Sequence, residues 1–163
     1  MAATYEPIAT TTIGSAQSSI TLSSISGSYT DLILVAVGDQ AASFDGINVT
    51  VNSDTASNYS DTILNGNGSV AGSSRDTSAT AMNLGLAQAA GQAINIMQFM
   101  NYSNTTTYKT VLSRANSVNG AATRAVVGLW RSTSAITSIT LTRGGTNSFN
   151  TGYTVTLYGI KAA

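Results

Sequence analysis

Four aspartates fall in two pairs in the first half of the chain, Asp39 with Asp45 and Asp54 with Asp61. Two carboxylates facing one bond are the machinery of glycoside hydrolysis. Asp and Asn oxygens together can also ligate Ca²⁺. The spacing fits no EF-hand loop, however, and the neighbouring Gly46, Asn52, Ser53 and Ser57 are residues that turns and caps require. Loop and cap roles are therefore assigned, and no catalytic or metal-binding residue is nominated. Arg124, Trp130 and Arg131 lie on or just after one strand-like run, where alternation puts Arg124 and Trp130 on one face. An arginine beside an aromatic can stack on a sugar or grip a partner. The competing role is a core tryptophan with a solvated arginine. The chain has no His and no Cys. That removes the commonest general base, disulfides and thiolate chemistry, and no cofactor is implied.

The elements that must position these residues read as strands. Residues 151–160 (TGYTVTLYGI) alternate Tyr153, Val155 and Leu157 against Thr154, Thr156 and Tyr158. Residues 31–37 (DLILVAV) form a continuous apolar run of strand length, the expected most buried strand. Residues 19–25, 47–51, 94–102, 108–114, 123–130 and 136–142 are further strands, with turn signals between them. Residues 77–86 make a weaker strand, and 65–74 (NGNGSVAGSS) a loop. A short helix is expected over residues 56–64, with Tyr59, Ile63 and Leu64 inward. Pro7 lies within 4–13, which suits an edge strand or an extended arm, because Pro cannot donate to a central ladder.

Regular spacing of strands and turns predicts an all-β antiparallel sandwich, jelly-roll-like, of about eight strands. The expected organisation is an extended N-terminal arm over residues 1–14 and one sandwich domain over 15–163. Leu34, Val35, Ile96, Phe99, Val127, Leu129, Ile139, Val155 and Leu157 are the expected core. A terminal strand such as 151–160 needs both a pairing partner and a second sheet to cover its apolar face.

Only 9% of the 163 residues are charged, and seven basic residues balance seven acidic ones. Phosphate backbones demand clustered Lys and Arg, so nucleic acid is excluded as a partner. No run approaches the apolar length of a membrane span, and residues 1–15 lack the pattern of a signal peptide. A nearly uncharged Ser/Thr/Asn/Gly surface lets copies approach at little Coulomb cost, which suits a subunit of a permanent assembly. Seven tyrosines against three phenylalanines and one tryptophan fit interfaces and half-buried strands alike.

Several stretches, in their order and spacing, resemble small virion structural proteins of tailed bacteriophages, including phages of cyanobacteria. They are TYEPIATTTI (4–13), SDTASNYS (53–60), NYSNTTTYKTVLSRAN (101–116), GLWRSTSAITSITLT (128–142) and TVTLYGIKA (154–162). The resemblance implies a sandwich that assembles on the particle as a homotrimer, has no enzymatic activity, and is made in the bacterial cytoplasm before joining the virion. The shortness of the chain favours a capsid-decorating (cement) protein bound to the major capsid protein or to other virion proteins. The alternative is a receptor- or glycan-binding tail-fibre or tail-tip module, which would need an exposed aromatic patch around Trp130 or Tyr59. Candidate interface residues are Tyr5, Pro7, Ile8, Tyr59, Arg124, Trp130 and Arg131.

Overall fold

β-branched and aromatic residues with a two-residue period dominate the chain, and strands are what they form. A computed structural model describes residues 4–39, 45–87, 91–118, 122–144 and 147–161. Among them are twelve strands and no helix: β1 (Tyr5–Thr12), β2 (Ser19–Leu22), β3 (Asp31–Gly38), β4 (Asp45–Val51), β5 (Tyr59–Gly66), β6 (Ala71–Ala79), β7 (Met82–Ala87), β8 (Ala93–Met100), β9 (Lys109–Ser117), β10 (Thr123–Trp130), β11 (Ile139–Arg143) and β12 (Thr154–Ile160). All pairings are antiparallel. One sheet has eight strands in the order β1-β12-β3-β8-β9-β10-β5-β6, and the other has four, β2-β11-β4-β7.

The order contains a jelly roll. With β5, β6, β9 and β10 set aside, first pairs with last (β1·β12), second with second-last (β2·β11), then β3·β8 and β4·β7. Nested pairing of this kind folds one long hairpin over on itself into two sheets. The four strands set aside extend the first sheet beyond β8. Twelve strands therefore replace the expected eight, while the class stands.

The core lies between the sheets. Leu32, Leu34, Met97, Phe99, Val155 and Leu157 face Ile47, Val49, Val51, Met82, Leu84, Ile139 and Leu141, and all are buried. Asn95 of β8 bridges the layers: its Oδ1 accepts from Leu86 N at 2.7 Å and its Nδ2 donates to Leu86 O at 3.1 Å. Polar groups so deep persist only when paired in this way.

Three expectations need correction. The helix over 56–64 is a turn followed by β5, which pairs on both sides with β10 and β6. Tyr59 and Ile63 do point inward, but residues four apart share a side under either period, so the inward pair did not discriminate. The 65–74 loop ends at Ala71, where β6 begins, and the weak strand over 77–86 is the end of β6 plus β7. Ala, Gly and Ser carry little strand signal, and register with β5 decides their conformation. Residues 5–12 take the edge-strand alternative named for Pro7, pairing within the chain's own sheet with Thr12 opposite Thr154 and Tyr5 opposite Ile160. Lys161 Nζ reaches Glu6 Oε1 at 2.8 Å and secures this edge. Residues 1–3 lie outside the described ones.

Candidate assembly surface

The four-stranded sheet covers one face of the eight-stranded sheet. The opposite face keeps a regular set of cross-strand rows. One row runs Tyr158, Ile33, Gln98, Leu112, Val127, Thr62; the next runs Thr156, Val35, Ile96, Arg114, Ala125, Leu64. Val37 and Ile94 continue the apolar field on one side, and Met100 and Leu129 on the other. Leu64 is 59% exposed, Val127 51%, Ile94 45% and Leu112 41%. Four such residues on one continuous face form a patch, which single exposed apolar residues do not.

This face holds four of the nine residues expected in the core. Leu34, Phe99, Ile139, Val155 and Leu157 are buried, whereas Val35, Ile96, Val127 and Leu129 point outward. The physical reason is parity. A strand that is apolar at odd and even positions reads as buried on both sides, yet the described residues supply a second layer on one side only.

Charges on this face are few. On its central strands, β3, β8, β9 and β10, they are Asp31 and Arg114. Asp31 Oδ1 accepts from Asn101 N at 2.7 Å and Oδ2 from Gln98 Nε2 at 3.4 Å. Arg114 is exposed between Ile96 and Ala125, and no hydrogen bond or ion pair joins its guanidinium to any of the described residues. Towards β1 the face turns hydroxylic, with Thr10 against Thr156 and Thr12 against Thr154, each at 3.2 Å.

The seven residues nominated from the sequence divide sharply. Tyr5 and Pro7 are exposed on β1, and Pro7 lies opposite Tyr158 at the margin of the apolar face. Ile8 is partly buried against the core. Tyr59 and Trp130 are buried and stacked on each other, with ring centroids 6.5 Å apart. They form no surface patch. Arg124 does share a face with Trp130, but it is the inner one. Its Nε donates to Asn65 Oδ1 and its Nη1 to Asn83 Oδ1 and Gly85 O, each at 2.9 Å. Arg131 Nη2 donates to Ser57 O at 2.9 Å and Tyr59 O at 3.1 Å. Tyr59, Trp130 and Arg131 fasten the β4–β5 turn, and Arg124 ties β10 to β5 and β7.

The aspartates also work internally. Asp54 accepts from Ala56 N, Asn58 Nδ2 and Trp130 Nε1. The bonds from Asn58 and then Trp130 hold its carboxyl below its ordinary value. Asp61 is buried on β5 beneath β7, where Oδ2 accepts from Asn83 N at 2.9 Å. Desolvation, aided by the Asp76 charge, outweighs that bond and pushes its carboxyl up. Asp39 Oδ1 accepts from Asn150 at 3.2 Å, and Asp45 opens β4. Among the described residues, no three His, Cys, Asp or Glu side chains converge to hold a metal.

Leu64, Ile94, Leu112 and Arg114 escaped nomination. For Leu64, Ile94 and Leu112 the signal was apolar residues on both parities of one strand, and Arg114 carried none. No known protein family, no characterised protein and no solved structure matches this chain.

Proposed function

We propose that this protein is a virion structural subunit that decorates a bacteriophage capsid as a homotrimer, working by covering and joining surfaces with no reaction of its own. The observation that carries this is the broad, weakly charged apolar face of the eight-stranded sheet. A stable single chain rarely leaves such a face to water, and a subunit of a permanent assembly uses it. The resemblance to phage structural proteins supplies the particle and the trimer. Three linked copies multiply weak contacts with a repetitive shell through avidity.

The test is sedimentation of the purified protein, followed by co-sedimentation with empty phage shells. A trimer that pellets with shells is the expected result. A protein that ignores shells and binds host cells or their glycans would move the assignment to a tail module. That alternative asks for an exposed aromatic patch, and Tyr59 and Trp130 are buried.

A further inference from the structure

We infer that the apolar face of the eight-stranded sheet is the contact between copies, turned inward around the three-fold axis so that Arg114 of each copy meets Asp31 of the next.

Size is the first argument. Eight strands about 4.8 Å apart and some seven residues long span an area of about 900 Å². A standard interface takes about 800 Å² from each partner. The face is therefore large enough to hold copies together, and its apolar centre needs an equally apolar surface opposite. The same face on a neighbouring copy is such a surface.

Charge placement is the second argument. Asp31 and Arg114 flank the row that carries Ile33, Gln98 and Leu112. The strand order β3-β8-β9 and four residues of β9 separate them by about 10 Å across the sheet and about 13 Å along it. Three faces turned towards one axis meet flank to flank. The Arg114 flank of one then adjoins the Asp31 flank of the next, and the cycle closes after three. Each cation meets an anion, while Arg114 against its own copy would repel. The Asp31 carboxylate has acceptor capacity beyond its bonds to Asn101 and Gln98. A guanidinium with no partner among the described residues, set among apolar side chains, gains most from a carboxylate as water leaves.

The arrangement rests on the homotrimer proposed above. It is tested by sedimentation velocity on the wild type, Leu112→Lys, Arg114→Glu and the double variant Arg114→Glu with Asp31→Lys, with circular dichroism of each. Leu112 and Arg114 are exposed, so both single variants should fold. Each should weaken association at least tenfold, and the double variant should recover part of the Arg114→Glu loss. Because the chain has no cysteine, Leu112→Cys gives a second, independent measurement. Its thiol should react with a maleimide far more slowly in the trimer than that of Thr21→Cys, exposed on the outer side of the four-stranded sheet. Trimeric variants with unchanged association, or equal labelling rates at the two cysteines, would overturn the inference and leave the trimer intact. A wild type that is monomeric yet pellets with shells would overturn it while leaving the virion assignment standing.

Discussion

The indole Nε1 of Trp130 donates a 2.7 Å hydrogen bond to Oδ2 of Asp54. Trp130 ends β10, and Asp54 sits in the turn between β4 and β5. The same turn receives the Tyr59 hydroxyl, which donates to Asp54 O at 2.9 Å. The β4–β5 turn with the start of β5 is thereby fixed to the end of β10, 76 residues away, at one corner of the sandwich. Trp130, which beside Arg124 could stack on a sugar, is instead an internal fastening.

Asp54→Ala should therefore cost about 1–3 kcal/mol, because the nearly buried indole N–H is left without an acceptor. Trp130→Phe should cost less through this bond, since it removes donor and demand together. Urea unfolding measures both. An Asp54→Ala protein with wild-type midpoint would show that the corner is held otherwise.

Inner and outer faces should respond differently to truncation. Leu34→Ala and Leu157→Ala remove fully buried side chains and should each cost about 2–5 kcal/mol. Val127→Ala on the outer face should cost under about 1 kcal/mol in dissociated protein. Comparable losses at Val127 and Leu157, measured below the association range, would mean that the two faces have been exchanged.

Gly159 is required by close packing. A Cβ placed there would lie 2.3–2.6 Å from carbons of the Tyr29 ring. Gly159→Ala should cost about 1–3 kcal/mol through overpacking, and Tyr29→Ala in the same chain should relieve part of that strain. Additive losses in the double variant would rule out this contact as the cause.

Stability should be flat between about pH 6 and 8, because no His titrates there. Asp61 has a raised carboxyl, so the folded state holds its proton more tightly than the unfolded state. Its burial penalty is absent below the ordinary value of 3.8 and grows as pH rises through the folded value. Asp61→Asn keeps an acceptor for Asn83 N–H and should be more stable than wild type at pH 7, the gap closing in acid. At the alkaline end, desolvation raises the Tyr59 hydroxyl from 10 to about 12. Stability should then fall as pH climbs from 10 towards 12, as the unfolded chain ionises first. Thermal melts across pH check both; a gap that widens in acid would reverse the sign assigned to Asp61.

Much of the architecture was legible in the residues. The alternation of Val155 and Leu157 with Thr154 and Thr156 marks a strand with one apolar side, because successive side chains leave a pleat in opposite directions. Asn104 in SNTT marks a turn, and its Oδ1 accepts from Thr106 N at 2.7 Å and Thr107 N at 2.9 Å. Period and turn chemistry are local properties, and local properties need no partner to be read. The weak strand β6 was missed because Ala71, Gly72 and Ser73 declare nothing locally and become a strand only through β5. Tertiary structure alone decided which side of each apolar strand is covered. Ile33 and Leu34 are neighbours of the same character, yet Leu34 is buried by the second sheet and Ile33 looks outward. That outcome depends on the nested order of strands far apart in the chain, and no stretch of residues contains it.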